Sequence, residues 1–178
     1  MANRAIFLDR DGTLNYSYPQ GSKTIPPGIL SEIIILDGVI ESLTKLKSLE
    51  FELIVITNQP DYSRGKTSLK NLLEINFRIC KEIGIKNTYI CLHDSDDQCS
   101  CRKPRNGFLL HASKNFNINL TESYLIGDRL SDVQAGIASG CTSFLIGEKS
   151  NSEASSYIVV SSLLEAANLI SERELQHG

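Results

Sequence analysis

The sequence predicts an α/β fold, a doubly wound and mostly parallel sheet flanked by helices. Three observations predict it. Short apolar runs closed by polar or glycine-containing turns recur along the chain, and amphipathic stretches of helical period separate them. The apolar runs are also nearly free of polar residues, as expected of strands covered on both faces. With 178 residues the chain is long enough for one domain with a substantial core, and we expect a single domain over 1–178.

Taken in order, AIFL (5–8) is the first strand and ends in the acidic turn DRDGT. The stretch at 15–28 is polar, holds three of the five prolines and lacks a hydrophobic period, so it reads as a long surface loop. GVIESLTKLKSL (38–49) follows as a helix and LIVIT (53–57) as a strand. The helix at 68–84 has Thr67 or Ser68 as its N-cap and Gly84 as a left-handed C-cap. TYICL (88–92) is the third strand, FLLHASKNF (108–116) a helix, SYLIG (123–127) a strand, and 132–140 a helix closed by Gly140. TSFLIG (142–147) is a strand, Tyr157–Val160 adds an edge strand, and a last helix starts near Ser162 and frays over SERELQHG (171–178).

The formal net charge of −3 leaves no electrostatic footprint for nucleic acid, although a local basic pocket can still hold a small anion. No uncharged apolar run approaches the roughly 18 residues that span a bilayer, and a cytoplasmic protein is the expectation.

In an open parallel sheet, ligands bind beyond the carboxyl ends of the strands, and here each such end carries reactive or anion-binding residues. Asp9, Asp11, Gly12 and Thr13 follow the first strand, Thr57 and Asn58 close the second, Arg102 and Lys103 lie beyond the third, and Gly127, Asp128 and Asp132 follow the fourth. Three carboxylates with a lysine suit Mg²⁺ facing a phosphoryl group, with Asp9 and Asp128 as ligands, because this cation prefers oxygen and keeps waters that a substrate can replace. Lys103 and the cation together offset the repulsion between carboxylates and phosphate. Taken alone, a D-x-D-G segment after a strand is an ordinary turn; it becomes catalytic in company with TN, RKP and GDRLSD at successive strand ends.

CLHDSDDQCSCRKP (91–104) offers Cys91, His93, Cys99 and Cys101 in a C-x-H-x5-C-x-C pattern, the Cys₃His set of structural zinc. Zn²⁺ at 91–101 would stiffen a loop too polar to pack by itself and so place Arg102 and Lys103. Cys80 and Cys141 read as core thiols, and His111 as a packed or hydrogen-bonded histidine.

DRDGT, then a strand ending in TN, then RKP, then GDRLSD resembles the haloacid dehalogenase (HAD) superfamily of aspartate-nucleophile phosphatases, over about residues 4–147. The resemblance implies a HAD-like Rossmannoid fold in which Asp9 is the nucleophile and Asp11 the general acid and base. It also implies that Thr57 and Asn58 hold the transferring phosphate, that Lys103 fixes nucleophile and phosphate, and that Asp128 and the Asp11 carbonyl ligate Mg²⁺ with Asp132 supporting the metal waters. Thr13 is expected to orient Asp11.

The zinc loop is similar to that of the superfamily's group without a large cap domain, which contains heptose 1,7-bisphosphate phosphatases and histidinol-phosphate phosphatases. RGK (64–66) after TNQ, and KPRNG (103–107), are closer to the heptose bisphosphate enzymes, although TNQPD stands here where that group has TNQSG. The implied activity is removal of the 7-phosphate of D-glycero-D-manno-heptose 1,7-bisphosphate during the synthesis of nucleotide-activated heptose for lipopolysaccharide or another surface glycan. Histidinol phosphate is the alternative substrate, and a non-catalytic phosphate-binding module the alternative class. Without a cap, the loops carrying Arg64 and Arg105 form the substrate pocket, Arg102 adds a phosphate-facing cation, Arg129 faces the distal part of the substrate, and the protein is expected to be a monomer.

Overall fold

A computed structural model describes residues 2–21, 23–148 and 156–177. In chain order it contains β1 (Ala5–Leu8), β2 (Tyr18–Gln20), β3 (Lys23–Ile25), α1 (Val39–Ser48), β4 (Glu52–Asn58), α2 (Leu69–Ile83) and β5 (Asn87–Cys91). These are followed by α3 (Gly107–Phe116), β6 (Tyr124–Gly127), α4 (Leu130–Ala138), β7 (Thr142–Ile146), β8 (Ile158–Val160) and α5 (Leu163–His177). Six strands form one parallel sheet in the order β5-β4-β1-β6-β7-β8.

Side-chain alternation explains why the strands read as unbroken apolar runs. Ile6, Leu8, Leu53, Val55, Tyr124 and Ile126 face one core with Leu43, Leu46, Ile75, Ile79, Ala166 and Ile170 from α1, α2 and α5. Ala5, Phe7, Ile54, Ile56 and Leu125 face a second core with Leu109 and Ala112 of α3 and Ala135 of α4. Both faces are dry, so every position of β1 must be apolar. Truncating a fully buried residue such as Phe7 to Ala would cost about 3–5 kcal/mol.

The chain leaves β1 and builds outward through β4 and β5 on one side, then returns to build β6, β7 and β8 on the other. That reversal at β1 opens a crevice beyond the carboxyl ends of β1, β4 and β6. Helix ends follow local chemistry: the Ser68 side chain accepts from the Asn71 amide at 3.1 Å to cap α2, and Gly84 ends it at φ 69°.

Two expectations are corrected. The 15–28 segment is not irregular throughout, because β2 and β3 pair antiparallel, Tyr18 with Ile25 and Gln20 with Lys23. Three-residue strands are too short to show a period; Tyr18 instead anchors the hairpin, packing edge-on against Tyr16 and donating its hydroxyl to the Glu32 carbonyl at 2.7 Å. The tail does not fray through 171–177 but continues α5, because Glu174 pairs with Arg4 and accepts from the Tyr124 hydroxyl at 3.3 Å. Among the described residues there is no cap domain beyond the 18–25 hairpin, and no helix is long and apolar enough to cross a membrane.

Candidate active site

The Asp9 amide donates to the Ile126 carbonyl of β6 at 2.9 Å, which ties the end of β1 to the neighbouring strand and sets the Asp9 side chain over the crevice. Lys103 reaches the same point from the loop beyond β5. Its Nζ donates to Asp9 Oδ1 at 2.5 Å, to the Ile56 carbonyl at 2.6 Å, and lies 2.7 Å from Asp132 Oδ1. The Asn58 side chain grips the Lys103 backbone in both senses, accepting from its amide at 3.1 Å and donating to its carbonyl at 3.0 Å. The Asn58 side chain thus aims the lysine from the end of β4.

Burial shapes the charges. It pushes Asp9 up to about 7, against the pull of Lys103 and with help from Asp132, Asp128 and Asp11. Asp128 is pushed up to about 6, first by burial and then by Asp132, with Arg129 and Lys103 opposing. Burial alone would depress the Lys103 ammonium, but the Asp132 and Asp9 carboxylates outweigh it and hold its pKa above the ordinary lysine value.

This carboxylate group fits a hard divalent cation. Carboxylate oxygens of Asp9, Asp128 and Asp132 lie within 4.8 Å of one another, and Asp128 Oδ1 is buried without a hydrogen-bond partner. Both Asp132 oxygens are already engaged, Oδ1 by Lys103 and Oδ2 by the Arg129 amide at 3.0 Å, which leaves Asp9 and Asp128 as the freer ligands. Gly12, at φ 90°, brings its backbone so close that an added Cβ would collide with the Asp128 carboxylate.

Asp11 sits beside this group in a cage of donors. Arg10, its side chain 1% exposed, donates from Nη2 to both Asp11 oxygens at 3.0 and 2.9 Å and from Nε to Oδ1 at 3.1 Å. Asn15 Nδ2 donates to Oδ1 at 3.0 Å, and Gln59 Nε2 donates to Oδ2 at 2.5 Å. Thr13 is not among these partners; its buried hydroxyl oxygen has none, so Arg10, Asn15 and Gln59 orient Asp11 in its place. These three residues carried no assigned role in the sequence, although Arg10 and Gln59 stand inside the quoted DRDGT and TNQ motifs. An arginine between two aspartates, directly after a buried strand, is the signal that could have found the first of them.

Thr57 is buried at the end of β4, and its hydroxyl accepts from Gln59 Nε2 at 2.8 Å. Next to Arg10 and Gln59, a cleft of about 350 Å³ opens between residues 26–28, Asp61, Lys66 and the start of α2. Three of the four arginines expected at the substrate are held by partners in the 91–101 loop. Arg64 forms a two-point pair with Asp94 at 2.6 Å each, Arg102 donates to the His93 carbonyl at 3.1 Å, and Arg105 to the Cys99 carbonyl at 2.8 Å. Arg129 donates to Thr24 Oγ1 of β3 at 3.1 Å while lying 3.9 Å from Asp128, so it links the hairpin to the carboxylates.

The 91–101 loop closes on itself. Cys91, His93, Cys99 and Cys101 offer ligand atoms all within 4.8 Å of one another, with sulfur–sulfur separations of 3.4 and 3.8 Å and none of the cysteines in a disulfide. Tetrahedral zinc with Zn–S bonds of about 2.3 Å needs sulfurs about 3.7 Å apart, so the four residues fit a metal as found. Cys80 and Cys141 are buried, as expected, and His111 packs edge-on against Tyr89, 3.3 Å from the Asn115 amide.

The HAD-hydrolase-like family model matches residues 100–166. The D-glycero-beta-D-manno-heptose-1,7-bisphosphate 7-phosphatase of Haemophilus influenzae is 36% identical over 149 residues, covering 76% of each chain. The enzyme of the same name from Photorhabdus laumondii is 32% identical over 181 residues, covering 93% of this chain and 88% of its own. Among solved structures, a D,D-heptose 1,7-bisphosphate phosphatase from B. bronchiseptica, complexed with magnesium and phosphate, shares the fold with a TM-score of 0.79 at 24% identity, covering 98% of this chain and 99% of that one. With a parallel sheet of this order, an aspartate pair at the end of its central strand and relatives similar over most of both chains, this protein belongs to the HAD-like phosphoric monoester hydrolases, in the family of the heptose-1,7-bisphosphate 7-phosphatases.

Proposed function

We propose that this chain is a Mg²⁺-dependent phosphomonoesterase that removes the 7-phosphate of D-glycero-D-manno-heptose 1,7-bisphosphate through an aspartyl-phosphate on Asp9. Its place is the cytoplasm, in the synthesis of nucleotide-activated heptose for lipopolysaccharide or another surface glycan. The observation that carries the chemistry is Asp9 Oδ1 at 2.5 Å from Lys103 Nζ, with the caged carboxyl of Asp11 two residues on. The names of the relatives support the sugar.

Asp9 attacks phosphorus while the bond to the leaving oxygen breaks, and Asp11 gives that oxygen its proton. Asp11 then takes a proton from the water that cleaves the phospho-enzyme, which restores both carboxyl groups. Lys103 keeps Asp9 in place and faces the phosphoryl oxygens, and the Thr57 hydroxyl donates to them. Mg²⁺, held by Asp9, Asp128 and the Asp11 carbonyl with Asp132 behind, would supply the positive charge that lets an anionic ester approach three carboxylates. The sugar body lies in the cleft beside Arg10, Gln59 and Lys66. Zn²⁺ on Cys91, His93, Cys99 and Cys101 has a structural part, holding the loop that delivers Arg102 and Lys103.

Phosphate release by the purified protein, with Mg²⁺, from heptose 1,7-bisphosphate and histidinol phosphate tests this, with Asp9→Asn as control. A preference for the bisphosphate, lost in Asp9→Asn, is expected. Preference for histidinol phosphate would move the enzyme into amino-acid synthesis, and full activity of Asp9→Asn would sink the mechanism.

A further inference from the structure

We infer that Gln59 is a positioning residue that fixes the proton-handling carboxyl of Asp11 against the phosphate-facing hydroxyl of Thr57. This rests on the roles proposed above for Asp11 and Thr57. One nitrogen carries the linkage: Gln59 Nε2 donates one hydrogen to Asp11 Oδ2 at 2.5 Å and the other to Thr57 Oγ1 at 2.8 Å. The residue is 3% exposed, and its backbone amide donates to the Cys91 carbonyl of β5 at 2.7 Å, so the amide reaches Asp11 from a fixed base. The amide orientation follows from chemistry, because turning it over would press its oxygen against an Asp11 carboxylate oxygen.

Position in the chain separates Gln59 from the other partners of Asp11. Arg10 and Asn15 stand on the same turn as Asp11 and travel with it. Gln59 comes from the end of β4, so it is the side chain that sets Asp11 relative to the strand carrying Thr57. An error of about 1 Å in such a setting can cost on the order of 100-fold in rate. The second bond acts on Thr57: with a lone pair of Oγ1 taken up by the amide, the single hydroxyl hydrogen is left to donate to the transferring group.

Gln59→Met keeps length and burial but removes both donated hydrogens. With heptose 1,7-bisphosphate, whose leaving alkoxide needs the Asp11 proton, kcat should fall about 10- to 100-fold while KM changes less than about 3-fold. With p-nitrophenyl phosphate, whose leaving group departs without a proton, the single-turnover rate of phospho-enzyme formation should fall no more than about 3-fold, while steady-state kcat still falls about 10-fold because Asp11 must deprotonate the attacking water. On the aryl ester in an Asp11→Asn background, Gln59→Met should cost no more than about 3-fold further, because the partner it acts through is gone. Gln59→Ser, which admits a water in place of the amide, should recover part of the loss and serves if the Met variant does not fold.

Equal single-turnover losses on the two substrates, a loss carried by KM, or full additivity with Asp11→Asn in steady state on the aryl ester would each overturn the assignment. Asp9→Asn in the same assays keeps the two levels apart. If it retains phosphate release, the aspartyl-phosphate mechanism fails; if it is inactive while Gln59→Met behaves as wild type, only the role of Gln59 fails.

Discussion

Lys103 Nζ lies 2.5 Å from Asp9 Oδ1, and the lysine side chain is only 2% exposed. The same nitrogen meets Asp132 Oδ1 at 2.7 Å, so one buried cation holds two buried carboxylates together. Removing the cation of such a group leaves two carboxylates uncompensated in a dry site, which costs about 3–5 kcal/mol. We therefore expect Lys103→Met to lower stability by about that much at pH 8 in chelator. The loss should shrink toward pH 5, where Asp9, pushed up to about 7, and Asp128, pushed up to about 6, hold protons. Urea unfolding at the two pH values measures this, and equal stability of variant and wild type at pH 8 would refute it.

Asp9 itself should oppose folding when no metal is bound. Its folded pKa of about 7 stands above the ordinary aspartate value of 3.8, so its contribution to stability is fully present below the lower value and lost as pH rises through the higher one. Asp9→Asn removes that loss. The metal-free variant should melt several degrees above wild type at pH 8, with the gap narrowing steadily toward pH 4, although it is inactive. A melting temperature below that of wild type at pH 8 would show that the bond to Lys103 outweighs the desolvation of the carboxylate.

The five thiols should sort into two classes. Cys99 and Cys101 are partly exposed, whereas Cys80, Cys91 and Cys141 are buried, and burial pushes Cys91 and Cys141 up to about 12. Protein as purified should carry one zinc per chain and resist alkylation at pH 8. Chelation should expose Cys99 and Cys101 to iodoacetamide, leaving Cys80, Cys91 and Cys141 unmodified until denaturation. Mass spectrometry counts the adducts, and alkylation of Cys99 and Cys101 without chelation would show that no metal closes the loop. Because Arg102 and Arg105 already donate to the carbonyls of His93 and Cys99 and the loop delivers Lys103 to Asp9, chelation should lower kcat before it raises KM.

Most of this architecture is legible in the sequence, for a physical reason: β1, β4 and β6 are buried on both faces, so their apolar runs stand out, and the reactive residues must sit where those runs end. Asp9, Asp128, Asp132 and Lys103 converge because the strand ends converge. Side-chain direction is what the sequence does not carry. Arg64 was expected in the substrate pocket and turns instead to Asp94, a partner 30 residues away in sequence. Asn58 turns to a backbone 45 residues on. Thr13 gives up its expected part for the same reason, since Arg10 and Asn15 of the same turn and Gln59 from across the crevice are the donors that reach Asp11.

Gly12 shows how one missing side chain serves the metal site. Its φ of 90° lies where L-residues are strained, and a Cβ there would collide with the Asp128 carboxylate. Gly84 has a similar backbone at φ 69°, but a Cβ there meets only Lys47 Nζ at 3.8 Å. The pair separates backbone strain from loss of space. Gly84→Ala should cost about 1 kcal/mol of stability and leave the Mg²⁺ dependence of phosphate release unchanged. Gly12→Ala pays a similar strain and must also move Asp128, whose Oδ1 already lacks a hydrogen-bond partner. We expect the Mg²⁺ concentration for half-maximal activity to rise at least about 10-fold in Gly12→Ala, a loss of about 1.4 kcal/mol in affinity. An unchanged Mg²⁺ requirement in Gly12→Ala would mean that Asp128 does not hold the metal, since its carboxylate cannot stay where it is beside an alanine.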